Sequence, residues 1–134
     1  MKIAFIGGGN MGEAMLSALL NIRIAEAKSI TVSDVSEPRR HYLMERYTIL
    51  TTSDNRLAIT GANVVVLAVK PQNLPAVMNE LKNQLIPTQL VISIVAGIRI
   101  STLRQGLNHK TIVRSMPNTP AQIGEGVTVW TATK

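Results

Sequence analysis

The chain has 134 residues, 46% of them hydrophobic, and no cysteine, which suits one folded domain with a genuine core. That composition excludes a disordered chain, a disulfide framework, a thiolate metal site and a thiol nucleophile. Fourteen basic against eight acidic residues give a net charge of +6. The basic residues are scattered from Lys2 to Lys134, however, with only Arg39 and Arg40 adjacent, and 3% aromatic residues are too few for base-stacking platforms, so no nucleic-acid partner is expected. A mild positive field suits an anionic small molecule, and equally a solvated surface. No apolar run approaches the roughly 20 residues of a membrane helix, so no membrane partner is expected. A first strand at residue 2 leaves no room for a signal peptide, and the expected compartment is the cytoplasm.

In chain order, Lys2–Ile6 is a short apolar run that reads as a buried strand, followed by Gly7-Gly8-Gly9-Asn10-Met11-Gly12 and then a helical pattern. This is strand, glycine turn and helix at the G-x-G-x-x-G spacing. Gly7 is expected to allow the tight turn, Gly9 to let the backbone approach a pyrophosphate, and Gly12 to let helix and strand pack closely. The free N–H groups at the helix start, aided by the helix dipole, would meet the phosphates. Met11, Ala14, Met15, Ala18, Leu19 and Ile22 recur at helical steps and predict the core-facing stripe of that helix.

Strands are then predicted at Ser29–Ser33, Thr48–Thr51, Asn63–Val69, Leu90–Val95, Thr111–Arg114 and Gly126–Thr131. Helices are predicted at Glu37–Arg46, from near Ser53 or Asp54, at Pro71–Leu85 and at Ile100–Leu107, and Met116–Gly126 reads as a loop rich in proline and glycine. The alternation predicts an α/β fold: a Rossmann-type open, twisted, mostly parallel sheet with helices on both faces, its last strand or strands open to antiparallel pairing. Ligands of such sheets sit beyond the carboxyl ends of the strands, at the switch point. One crevice should therefore be lined by Gly7–Met11, Asp34, Thr52–Asn55, Ala68–Gln72, Ala96–Gly97 and Ser115–Pro120.

Asp34 lies 22 residues beyond Gly12, where a carboxylate commonly holds the adenosine ribose hydroxyls and favours NAD. Arg39 and Arg40 argue the other way, because guanidinium pairs well with a 2′-phosphate. Lys70, directly after a buried strand, emerges at the crevice, as a ligand contact or as a solvated lysine. His41 and His109 read as surface residues, and neither a Ser/His/Asp set nor a metal-ligand cluster is present at usable spacing.

Three strings are more specific than the glycine turn: Val65–Gln72 (VVLAVKPQ), Ser93–Ile98 (SIVAGI) and Arg114–Ala121 (RSMPNTPA). Together, and over nearly the whole chain, they resemble the N-terminal half of the Δ1-pyrroline-5-carboxylate reductases, which form L-proline by hydride transfer to a cyclic imine. The resemblance implies that residues 1–134 are a dinucleotide-binding domain, with a helical dimerisation and substrate domain absent from this chain. To the cofactor contacts expected from the glycine turn (Gly7, Gly8, Gly9, Asn10, Met11, Gly12), Asp34, Arg39 and the strand-end Gly97, it adds Asn55 on the adenosine side and Ala68, Val69, Lys70, Pro71 and Ala96 toward the nicotinamide. Met116, Pro117, Asn118 and Thr119 would border the substrate, 1-pyrroline-5-carboxylate. It also favours NADP (NADPH) over NAD (NADH), a homo-oligomeric full-length enzyme, and an isolated domain that binds cofactor without turnover. Two other readings stay open: a stand-alone dinucleotide sensor or interaction module, and the cofactor domain of another reductase of the wider β-hydroxyacid-dehydrogenase-like group.

Overall fold

The computed structural model describes residues 1–117 and 128–132. Its elements are β1 (Ile3–Ile6), α1 (Asn10–Asn21), β2 (Ile30–Ser33), α2 (Glu37–Tyr47), β3 (Leu50–Thr52), α3 (Asn55–Ile59), β4 (Val64–Leu67), α4 (Leu74–Leu81), β5 (Leu90–Ser93), α5 (Ile100–Leu107), β6 (Ile112–Pro117) and β7 (Thr128–Ala132). The strands form one sheet in the order β3-β2-β1-β4-β5-β6-β7. The first six run parallel, and β7 pairs antiparallel with β6. The chain moves from β1 to β2 and β3 on one side and then crosses to β4 on the other, so the crevice at the carboxyl ends of β1 and β4 is the switch point.

The strands alternate their side chains between two cores, as the pleat requires. Ile3 and Phe5 of β1 and Val66 of β4 join Leu16 of α1 and Leu43 of α2 on one face. Ala4, Ile6, Val65 and Leu67 join Ala58, Leu74, Leu81, Leu103 and Leu107 from α3, α4 and α5 on the other. β1 is buried along its full length, which is why it reads as an unbroken apolar run and not an alternating one.

Local chemistry sets the helix ends. Ser36 caps α2, its hydroxyl accepting from the Arg39 N–H at 3.2 Å, with Pro38 in the first turn where no donor is missed. Asp54 caps α3 by accepting from the N–H groups of Arg56 and Leu57. Left-handed Thr48 and Asn108 end α2 and α5.

Several boundaries differ from the sequence reading. The helix expected over Pro71–Leu85 is a 3₁₀ turn at Pro71–Asn73 and then α4, which stops at Leu81 because Lys82 is extended and Asn83 is left-handed. The stripe of α1 is centred on Leu16, fully buried, while Ile22 lies beyond the helix and is exposed. Met116 and Pro117, expected in a loop, belong to β6: β5 pairs only as far as Arg114, but β7 continues the ladder to Pro117. Asn118 and Thr119 lie outside the described residues. Among the described residues no helix is long and apolar enough to cross a membrane.

Candidate functional site

The three glycines of the spacing each meet a different constraint. Gly7 has φ +100°, and a Cβ on it would lie 2.7 Å from the Ala68 carbonyl oxygen. A Cβ on Gly12 would lie 3.0 Å from the Gly7 carbonyl oxygen and 3.4 Å from the Ala68 Cβ, so α1 crosses tightly over β1 and β4. Gly9, the N-cap of α1, has no atom within 4 Å of its missing Cβ, and no side chain caps the helix there. The turn is thus closed toward the protein at Gly7 and Gly12 and open at Gly9, a cradle that backbone N–H groups can offer to an anion. Asn10 is exposed and Met11 half-buried at the same helix start.

Gly8 has a separate role that its place in the spacing does not reveal. A Cβ there would meet Leu43 Cδ1 at 2.7 Å and Val32 Cγ1 at 2.9 Å, because α2 folds down on the turn. Its N–H donates to Asp34 Oδ2 at 2.9 Å, and the other Asp34 oxygen accepts from the Ser36 N–H at 2.9 Å. The carboxylate at the end of β2 is therefore spent on two backbone donors that fix the turn and the start of α2.

The two arginines diverge. Arg40 Nη1 donates to the Asp34 carbonyl at 2.8 Å. Arg39 instead turns inward, donating from Nε to the Gly8 carbonyl at 2.5 Å and pairing with Glu13 Oε1 at 2.6 Å. Glu13 also accepts from the hydroxyls of Tyr47, at 2.6 Å, and Tyr42, at 2.9 Å. Burial pushes the Glu13 carboxyl up, but hydrogen bonds from Tyr47, Tyr42 and Arg39, with the Arg39 charge, hold it below its ordinary value. Tyr47 is raised by burial first and then by its hydrogen bond to Glu13. The sequence reading missed this network; its signal was an acidic residue in the first turn of the glycine-turn helix, facing basic and phenolic residues at helical spacing on the next helix.

Across the switch point, Ala68 follows β4 with its N–H on the Ile6 carbonyl at 2.8 Å, and Ala68 and Val69 stand half-buried beside Gly7. Lys70 and Pro71 are exposed, Lys70 as N-cap of the 3₁₀ turn, and the Lys70 ammonium has no partner among the described residues. Asn55 heads α3; its Oδ1 accepts from the buried Ser33 hydroxyl at 2.5 Å, and its Nδ2 donates to Glu80 at 3.4 Å. Ala96 and Gly97 are exposed past the end of β5, Gly97 with φ +75° and open space around it. The carboxyl ends of β1, β4 and β5, adjacent in the sheet, thus carry Gly7–Gly12, Ala68–Pro71 and Ala96–Gly97, with Asp34 past the end of β2 and Asn55 past the end of β3.

The histidines separate. His41 is exposed, 3.1 Å from Glu45, as expected. His109, expected at the surface, is buried at 6% exposure with Nε2 2.6 Å from the Gln89 carbonyl, because left-handed Asn108 ends α5 and turns the chain toward β6. It sits away from the glycine turn, and among the described residues no cluster of three metal-ligating side chains occurs. An open groove of about 370 Å³ lined by Lys2, Ile3, Ser29 and Leu57 lies at the amino ends of β1 and β2, opposite the switch point.

A family model described as "NADP oxidoreductase coenzyme F420-dependent" matches residues 2–97. The pyrroline-5-carboxylate reductase of Vibrio alginolyticus is 48% identical over 127 residues, covering 94% of this chain and 46% of that protein. The solved structure of a pyrroline-5-carboxylate reductase from Coxiella burnetii superposes with a TM-score of 0.93 at 37% identity, over 99% of this chain and 50% of that one. The Plasmodium falciparum pyrroline carboxylate reductase, solved with NADP bound, superposes with a TM-score of 0.86 at 30% identity, over 100% of this chain and 48% of that one. The chain spans about half the length of the curated relatives it matches.

Proposed function

The chain belongs to the family described as "NADP oxidoreductase coenzyme F420-dependent", and from that premise we propose that residues 1–134 are the dinucleotide-binding domain of a pyrroline-5-carboxylate reductase. The observation that carries the cofactor reading is the glycine turn, open at Gly9 and closed by Ala68 across the switch point. Gly7–Gly12 and the start of α1 would take the pyrophosphate, and Asn55 the adenosine side. Ala68–Pro71, with the Lys70 ammonium, and Ala96–Gly97 would take the nicotinamide half. Met116, Pro117, Asn118 and Thr119 would border the substrate.

These residues would hold NADPH so that its hydride can reach the C=N carbon of 1-pyrroline-5-carboxylate, the ring nitrogen carrying the matching proton as the iminium, to give L-proline. The chain's own share is to bind, orient and shield from water. The remaining substrate contacts and dimerisation are assigned to the half of the relatives that this chain does not span, so the chain alone would bind cofactor without turnover.

NADPH is favoured over NADH. Both Asp34 oxygens already accept backbone N–H groups, which weakens the carboxylate's claim on the ribose hydroxyls. Arg40 uses one nitrogen on the Asp34 carbonyl and has no other side-chain partner among the described residues, leaving donors for a 2′-phosphate. The NADP bound to the Plasmodium relative supports the same choice.

Calorimetric titration of the chain with NADPH and NADH at one salt concentration tests this, beside Arg40→Ala. NADPH is expected to bind more tightly, with Arg40→Ala costing about tenfold on NADPH and under about twofold on NADH. Tighter NADH binding would overturn the cofactor choice, and binding of neither would overturn the dinucleotide reading. Proline formation by the chain alone would show that these residues suffice for catalysis.

A further inference from the structure

Glu13 is an unexpected residue for a phosphate-binding helix. It lies in the first turn of α1, where a bare carboxylate would repel the pyrophosphate assigned to the same turn. Only 17% of its side chain is exposed, and both oxygens are engaged: Oε1 by Arg39 Nη2 at 2.6 Å, Oε2 by the Tyr47 and Tyr42 hydroxyls, with Arg46 Nε at 3.8 Å. The Arg39 guanidinium lies 5.0 Å over the Tyr42 ring and reaches the Gly8 carbonyl with Nε. One planar fork thus joins the helix carboxylate to the backbone of the glycine turn.

We propose that Glu13 and Arg39 are positioning residues for the dinucleotide. Arg39 cancels the carboxylate beside the phosphate seat and clamps Gly8, while Glu13 keeps Arg39 in that pose. The inference rests on the dinucleotide reading above and deepens it: the pair serves the pyrophosphate, which NADH and NADPH share, so it acts on both cofactors alike.

The test is the same titration with Glu13→Gln, Arg39→Ala, the double variant and Tyr47→Phe, each first checked by thermal melting. Arg39→Ala is expected to weaken NADH and NADPH alike by about tenfold or more, since it frees the turn and bares the carboxylate. Glu13→Gln should cost less, and the double variant should bind more tightly than Arg39→Ala alone, because it no longer holds an unpaired charge by the phosphate. Tyr47→Phe removes a hydroxyl but keeps the ion pair; it should lower the Tm and leave both affinities within about twofold. Should Arg39→Ala fail to fold, Arg39→Lys, which keeps the charge and loses the fork, carries the comparison. A loss confined to NADPH would overturn the proposal by making Arg39 a 2′-phosphate contact. Additive losses, or an equal loss in Tyr47→Phe, would overturn it by making the network general packing. An unmodified chain that binds neither cofactor would overturn the dinucleotide reading and this one with it, whereas normal binding by every variant would overturn this one alone.

Discussion

Gly7 and Ala68 leave no room between them: a Cβ on Gly7 would stand 2.7 Å from the Ala68 carbonyl oxygen and 2.8 Å from its carbon, both rigid backbone atoms. Gly7 also has φ +100°, a conformation that side chains disfavour. Gly7→Ala therefore has to move β1 away from β4 or abandon the turn, and should cost about 2–5 kcal/mol. Gly9→Ala meets open space with ordinary extended dihedrals (φ −74°, ψ −169°), and should change stability by about 0.5 kcal/mol or less. If Gly9 faces a ligand, the same methyl should weaken NADPH at least about tenfold. Chemical denaturation and calorimetry on the two variants check this. A Gly9→Ala chain that binds normally would remove the turn from the cofactor site.

The contrast between these glycines shows what the sequence could and could not convey. Spacing identified a turn between strand and helix, and the roles expected of Gly7 and Gly12 agree with their closed geometry. Gly8 carried no such signal, since its constraint comes from Leu43 and Val32, far off in sequence. Long apolar strands were legible because burial on both faces leaves unbroken apolar runs, as in β4. The end of β6 was not, because proline reads as a loop, and only pairing with β7 makes Met116 and Pro117 part of a strand. His109 was misread for a similar reason: its burial depends on the left-handed Asn108 and on a carbonyl 20 residues away. Asp34 was expected at the crevice from its position after β2, and Arg39 near the same pocket from the helix start that follows. Their present partners, Gly8, Ser36 and Glu13, are tertiary facts that no local pattern states.

The network around Glu13 makes stability depend on acid pH. Its carboxyl is held below the ordinary value of 4.5 in the folded chain, so the unfolded chain binds more protons as pH drops toward and below that value. The contribution is therefore fully present above about pH 5 and is lost as pH falls through the lowered folded value. Tyr47, raised from 10.0 first by burial and then by its hydrogen bond to Glu13, keeps its proton as a donor across this range. Thermal melts from pH 6 down to pH 3 should show a fall in Tm that is shallower in Glu13→Gln than in the unmodified chain. Parallel curves would mean that other carboxylates govern the acid transition.

At the opposite end of the sheet, Gln89 joins three connections. It is 4% exposed, its Nε2 donates to the carbonyls of Ile59 at 2.7 Å and Ala62 at 2.9 Å, and its Oε1 accepts from the Ile86 N–H at 2.9 Å. Its own carbonyl is 2.6 Å from His109 Nε2. The side chain thus serves backbone groups where α3 ends and where the chain turns into β5, its bonds to the two carbonyls being buried. Gln89→Leu is similar in size but strands the Ala62 carbonyl and the Ile86 N–H and leaves the Ile59 carbonyl only the Ala62 N–H, and should cost about 2–4 kcal/mol in urea denaturation. Gln89→Glu keeps the acceptor for Ile86 but sets a carboxylate against two carbonyl oxygens, and should cost at least as much at neutral pH. Gln89 lies at the other end of the sheet from the glycine turn, so in both variants the cofactor affinity of the folded fraction should stay within about twofold of the unmodified chain. A Gln89→Leu chain as stable as the original would show that these backbone groups find other partners, and the amide would then be a filler of space and not a lock.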